Sequence, residues 1–98
     1  MSIPVNRPLI SDADIESVTS ALKAGWISGE GPYVQSFENE FAKRINRKHV
    51  VAVSNGTIAL EMALRAIDCK AGDEVIIPTF SIISLVQAVL RVGAKPVL

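Results

Sequence analysis

Residues 49–67 read His49-Val-Val-Ala-Val-Ser-Asn-Gly-Thr-Ile-Ala-Leu-Glu-Met-Ala-Leu-Arg-Ala-Ile67. The first five form a short apolar run rich in β-branched residues, the pattern of a buried strand. The last ten are rich in strong helix formers. Only Ser54-Asn-Gly-Thr57 stands between them, so strand must pass into helix through one tight turn. A strand that leads at once into a helix opens a crossover unit, and it predicts an α/β fold with a parallel sheet.

The same rhythm continues downstream. Lys70-Ala-Gly-Asp73 is a polar turn, and Glu74-Val-Ile-Ile77 predicts a second buried strand, closed by Pro78. Residues 81–92 predict a helix with Ser81 as its cap. It is apolar around most of its circumference, which predicts burial on more than one side. Gly93-Ala-Lys-Pro-Val-Leu98 begins a third strand.

Upstream the pattern is helical. The first ten residues read as extended, with Pro4 and Pro8 blocking a helix. Ser11 is placed as an N-cap, with Asp12 and Asp14 in the first turn, where the helix dipole favours anions. Ile15, Val18 and Leu22 share one face, and Gly25 supplies the stop. After a loop from Trp26 to Gly31, Pro32 suits the first position of a second helix, striped by Val34, Phe37, Phe41 and Ile45.

This order divides the chain into residues 1–48, an extended arm with two helices, and residues 49–98, a βαβαβ unit. A sheet that stops inside its third strand leaves open edges and apolar surface. The expectation is an incomplete segment of a larger domain.

Composition narrows the function. Ten Lys and Arg residues balance ten Asp and Glu residues, so no net charge draws the chain to nucleic acid or to an anionic membrane. The one basic cluster, Lys43, Arg44, Arg47, Lys48 and His49, falls where a helix C-terminus already favours cations. The single cysteine, Cys69, has no partner for an internal disulfide, which sets a reducing, cytoplasmic compartment as the expectation. The opening MSIPVNRPLI lacks the charged and apolar regions of a signal peptide. Val75 to Val92 is interrupted by too many polar residues to span a bilayer.

Three stretches invite chemistry. At Ser54 to Thr57 the free amides of a new helix meet a glycine and a hydroxyl, which suits one small phosphate. The loop is too short for a Walker motif and lacks GxGxxG, which argues against a nucleotide pyrophosphate. Plain capping by Ser or Asn, with Gly as turn former, accounts for the same residues. Pro78-Thr-Phe-Ser81 lies at the carboxyl end of the next strand, where open parallel sheets bind ligands; strand termination and helix capping explain it equally. Trp26-Ile-Ser-Gly-Glu-Gly-Pro-Tyr33 packs two aromatics, two glycines and a proline into one loop, and fits an interface or ligand cover as well as a rigid turn. His49 and Cys69 lack the neighbours that a metal ligand or a nucleophile needs. No Ser-His-Asp arrangement or catalytic carboxylate pair can be assembled.

Taken in order, these segments resemble the DegT/DnrJ/EryC1/StrS family of sugar-nucleotide aminotransferases, which have the type I aminotransferase fold. The resemblance rests on Gly25-Trp-Ile-Ser-Gly-Glu-Gly-Pro-Tyr-Val34 with Phe37-Glu38 and Phe41-Ala42, and on Val53-Ser-Asn-Gly-Thr57 with Ala59-Leu60 and Ala63-Leu64. Gly72-Asp-Glu-Val-Ile-Ile-Pro-Thr-Phe80 and Gly93-Ala-Lys-Pro-Val97 complete it. The match is most similar to members acting on a 4-keto-6-deoxy sugar nucleotide, GDP- or dTDP-linked.

The resemblance implies pyridoxal 5'-phosphate as cofactor, its phosphate held by Gly56 and Thr57, with Asn55 shaping the loop. Ile82 stands where the family usually carries an aromatic that stacks on the pyridine ring. An aliphatic side chain can cover a ring face but gives up aromatic stacking. The family's aspartate at the pyridine nitrogen and its Schiff-base lysine both lie beyond position 98, so no catalytic residue is assigned here and this segment alone is expected to be inactive. The resemblance further implies a keto sugar nucleotide and an amino-acid donor, glutamate, as substrates. It also implies a homodimer with sites completed across the interface, in surface polysaccharide or glycoside biosynthesis. Two other readings compete: an inactive remnant or small interaction module that pairs through an exposed edge, and a generic α/β phosphate-binding domain.

Overall fold

The structure is a computed structural model that describes Ile3 and residues 6–98. Its elements run α1 (Asp12–Lys23), α2 (Pro32–Arg44), α3 (Gly56–Ala66), β1 (Glu74–Ile76), α4 (Ser84–Arg91) and β2 (Lys95–Val97). They fall into two compact units, Met1–Ala52 and Val53–Leu98. Of the expected extended arm, Met1, Ser2, Pro4 and Val5 lie outside the described residues, and residues 6–10 carry no regular structure.

In the first unit, α1 starts where its sequence signals put it. Ser11 and Asp14 form a capping box: Asp14 N–H donates to Ser11 Oγ at 3.3 Å, and Ser11 N–H donates to Asp14 Oδ2 at 2.8 Å. The bonds from the Ser11 backbone and side chain hold the Asp14 carboxyl below the ordinary aspartate range. In α2, Pro32 occupies the first turn, and Phe37 stacks on Phe41 with ring centroids 5.5 Å apart. Glu38 Oε1 accepts the Ala52 N–H at 2.8 Å, which ties the end of the unit back to α2.

That bond accounts for one correction. Residues 49–53 do not form the expected strand. A strand exists only through a ladder with a neighbour, and among the described residues nothing pairs with this run. The Ala52 amide is taken by a carboxylate, and Val51 remains 67% exposed. The apolar pattern signals a preference for pairing, which is different from a partner.

The second unit is a small α/β sandwich. β1 and β2 pair in parallel with Glu74 opposite Lys95, Val75 opposite Pro96 and Ile76 opposite Val97. The ladder extends to Ile77, whose N–H donates to the Val97 carbonyl at 2.8 Å. Ile77, Val89, Val92 and Ala94 form the buried cluster, with Leu64, Cys69, Val75, Leu85 and Val86 packed against it. Strand alternation explains why β1 is buried on one face only: Ile77 is 6% exposed and its neighbour Ile76 is 85% exposed. The expected βαβαβ unit thus has two paired strands.

α4 also departs from expectation. It begins at Ser84, so Ser81 is not its cap, and Ile83 takes that position without a side-chain bond. Ala88 and Val89 are buried, while Ile82, Ile83 and Leu90 face outward, so the helix is covered on one side among the described residues. The two residues directly before Ser84, Ile82 and Ile83, offer no side-chain oxygen to cap the helix start.

All four helices end alike. The residue after each C-cap takes a left-handed backbone: Gly25 at φ 76°, Asn46 at 52°, Asp68 at 59° and Gly93 at 82°. Each donates its N–H three residues back, and the next residue reaches a carbonyl five back, as in Gly93 to Leu90 at 3.0 Å and Ala94 to Val89 at 3.2 Å. This is the Schellman motif, which satisfies carbonyls that the helix cannot.

α3 and α4 are clamped at one end by Glu61. Its Oε1 accepts from Arg65 Nε at 3.1 Å and Nη2 at 2.9 Å, and its Oε2 lies 3.5 Å from Arg91 Nη1. Arg65 Nη2 also donates to the Arg91 carbonyl at 3.2 Å. The Arg65 bond is the main reason that the Glu61 carboxyl titrates below its ordinary range; partial desolvation opposes it.

Two outcomes test this account. Gly93→Ala forces a side chain into left-handed backbone and costs about 1–2 kcal/mol in urea unfolding. Gly29→Ala, where an added Cβ meets nothing within 4 Å, is near neutral. Glu61 is held deprotonated by the fold, so its stabilising effect is present above its unfolded pKa and is lost as pH falls through the folded one. Glu61→Gln therefore lowers the urea midpoint at pH 7, and the gap to the native sequence closes under acid conditions.

Candidate functional site

The start of α3 gathers most of the residues expected to bind. Asn55 is the N-cap, in extended conformation, and its Oδ1 accepts the Ile58 N–H at 3.0 Å while its carbonyl accepts the Ala59 N–H at 3.1 Å. A helix leaves four amide hydrogens unsatisfied at its start. The Asn55 side chain takes one of them, that of Ile58, while its carbonyl accepts the first ordinary helical bond. The Gly56 and Thr57 N–H groups have no acceptor among the described residues.

Those two amides sit at the positive end of an 11-residue helix. A Cβ built on Gly56 would meet nothing within 4 Å, so the glycine leaves open space and unshielded backbone beside the free donors. Thr57 is half-buried, and its Oγ1 donates to Ser84 Oγ at 2.9 Å. That bond brings together the first turns of α3 and α4, 27 residues apart in sequence.

No charge lies along either converging segment. Residues 50–60 and 75–90 contain no Asp, Glu, Lys or Arg. No carboxylate there repels an anion, and none of the recognition falls to an ammonium or guanidinium. The donors are amides, a hydroxyl and a helix dipole, the set that suits a small phosphate ester.

Ile82 lies in the loop that enters α4, two residues before Ser84. Its side chain is 67% exposed, and its carbonyl accepts the Leu85 N–H at 3.3 Å. Phe80 is fully exposed, and Ser81 makes no hydrogen bond among the described residues. The Trp26–Tyr33 loop folds onto itself: the Trp26 ring lies so close over Gly31 that a Cβ there would meet its Cε3 at 2.8 Å, and Ser28 Oγ donates to the Glu30 carbonyl at 2.9 Å. In the basic cluster Lys43 pairs with Glu40 at 3.0 Å. Among the described residues no group of His, Cys, Asp and Glu is placed to hold a metal, and no helix is long and apolar enough to cross a membrane.

Ser84, which meets the candidate residue Thr57, is the position that sequence reasoning missed. Ser81 drew the capping role because it stands first in the apolar run, and a serine within a first turn carries no mark of a partner in another helix.

The profile of the DegT/DnrJ/EryC1/StrS aminotransferase family matches residues 8–98. The chain is 40% identical over 95 residues to GDP-perosamine synthase of Vibrio cholerae, and 43% identical over 95 residues to GDP-perosamine synthase of Escherichia coli O157:H7. Each match covers 97% of this chain and 26% of the relative, so the chain spans about a quarter of the relatives' length. Among solved structures, NtdA of Bacillus subtilis with bound cofactor PMP superposes with a TM-score of 0.78 at 32% identity, covering 90% of this chain and 21% of that one.

Proposed function

The chain belongs to the DegT/DnrJ/EryC1/StrS aminotransferase family, and from that premise we propose that it is the phosphate-holding N-terminal segment of the cofactor domain of a pyridoxal-phosphate-dependent sugar aminotransferase. The whole protein would transfer an amino group, with glutamate as donor, to the keto group of a GDP- or dTDP-linked 4-keto-6-deoxyhexose. Its product would serve surface polysaccharide or glycoside synthesis. It would work in the cytoplasm as a homodimer.

One observation supports this reading above the others: two free amides, an open glycine and a threonine hydroxyl at the start of α3, with no charged side chain on either contributing segment. This donor set fits the phosphate of pyridoxal phosphate. When bound, the cofactor supplies an electron sink for the carbanion that forms as the amino group moves. The residues of this chain bind and orient. Asn55 caps α3 and so leaves the next two amides facing outward. Gly56 lets a phosphate oxygen approach the backbone. Thr57 donates its hydroxyl, and Ile82 offers an aliphatic cover for one ring face. Chemistry at the keto carbon falls to residues outside this segment.

The family's shared fold does not by itself fix a substrate. The sugar nucleotide is the part of the proposal taken from the resemblance to the perosamine synthases, which are themselves described as GDP-perosamine synthases.

The test separates binding from folding. A Cβ at Gly56 meets nothing within 4 Å, so Gly56→Val leaves the cofactor-free full-length protein with an unfolding midpoint close to that of the native sequence. Its affinity for pyridoxal phosphate, read from the cofactor's visible absorbance, drops by an order of magnitude or more, because the branch occupies the place of the phosphate. Undiminished affinity would remove the start of α3 from the site.

A further inference from the structure

Thr57 and Ser84 face each other across the junction of two helix starts, and their hydroxyls can share only one proton between them. Thr57 Oγ1 and Ser84 Oγ lie 2.9 Å apart, and either hydroxyl can be the donor. When Thr57 is the donor it has no hydrogen left for a ligand. For Thr57 to donate to a phosphate oxygen, Ser84 must be the one that donates into Thr57.

Ser84 is free to do so. Its hydroxyl hydrogen has no acceptor among the described residues. Its position makes the pairing informative as well. α4 starts without a side-chain cap, on Ile83. The only hydroxyl in its first turn is directed not to its own helix amides but to Thr57 on α3.

We propose that Ser84 is a positioning residue for cofactor-phosphate binding: on binding, it turns to donate into Thr57 Oγ1 and leaves the Thr57 proton aimed at the phosphate. The chain then runs Ser84 O–H to Thr57 O–H to phosphate, and donation into Thr57 polarises its own O–H and strengthens its bond to the anion. No atom is exchanged and no covalent bond changes. The same hydrogen bond sets the starts of α3 and α4 side by side, so the positive ends of two helix dipoles act on one anion. The proposal rests on the cofactor reading given above.

The experiment uses the full-length protein and two ligands, pyridoxal phosphate and pyridoxal, whose difference is the phosphate. Equilibrium binding is measured by absorbance for the native sequence, Ser84→Ala, Ser84→Thr, Thr57→Val and the double variant. Ser84→Ala weakens pyridoxal phosphate about five- to tenfold and leaves pyridoxal unchanged. Ser84→Thr, which keeps the hydroxyl, restores affinity. The double variant binds no more weakly than Thr57→Val alone, because Ser84 acts through Thr57. Should Ser84→Ala not fold, the near-isosteric Ser84→Cys is read by the same criteria.

Equal loss for both ligands, no loss for either, or effects of the two substitutions that multiply would overturn the role of Ser84 and leave the cofactor reading standing. A native protein that takes up neither ligand would overturn the cofactor reading, and this proposal with it.

Discussion

The first turn of an α-helix carries amide hydrogens that no residue of that helix can accept, and the last turn carries carbonyls with the same deficit. The ways in which this chain meets that constraint organise the rest of it. At the carboxyl ends the answer is uniform, a left-handed residue and two backward bonds, at Gly25, Asn46, Asp68 and Gly93. At the amino ends it differs from helix to helix. α1 closes its start with the Ser11–Asp14 box, and α2 opens on a proline that has no hydrogen to satisfy. α3 is capped only in part, and α4 has no side-chain cap. The two incompletely capped starts meet at the Thr57–Ser84 hydrogen bond. The local deficit and the proposed anion site are one feature.

Such a site must be held from both ends, because free amides order a ligand only if their helices stay fixed. Ile77, Val89, Val92 and Ala94 bury a small apolar cluster on one face of the two-stranded sheet, which anchors α4. Farther along the two helices, Glu61 pairs with Arg65 on its own helix and reaches Arg91 at the end of α4. Exposed ion pairs contribute little on their own, but this one shares its carboxylate between two guanidiniums and adds a bond from Arg65 to the Arg91 carbonyl. A clamp at one end and a hydroxyl pair at the other set the two helices relative to each other.

Much of this is legible in the sequence. Ser11, Gly25 and Pro32 mark their helix ends because each acts within a few residues of itself, and the structure places them as expected; Gly93, read as the first residue of a strand, instead closes α4 in left-handed backbone. The motifs of residues 25–34, 53–57, 72–80 and 93–97 were enough to suggest the family that matches residues 8–98. The run at 49–53 misled because β-branched apolar residues report suitability for a sheet, whereas a strand also needs a partner at hydrogen-bonding distance. Ser81 misled in the same way: it has the right side chain at a plausible place, but the backbone at Ile83 begins the turn.

The sequence by itself determined that α1, α2 and α3 form, where α1 starts and stops, the glycine and hydroxyl at the start of α3, and the absence of charge along residues 50–60 and 75–90. Those properties depend on chemistry within a few residues of each position, so a linear reading reaches them. Only the tertiary structure decided that Ala52 bonds to Glu38, that Ile77 is buried while Ile76 is not, and that Thr57 faces Ser84. These outcomes join residues far apart in the chain or choose between two faces of one element. They follow from which surfaces pack together, and no local pattern carries that information.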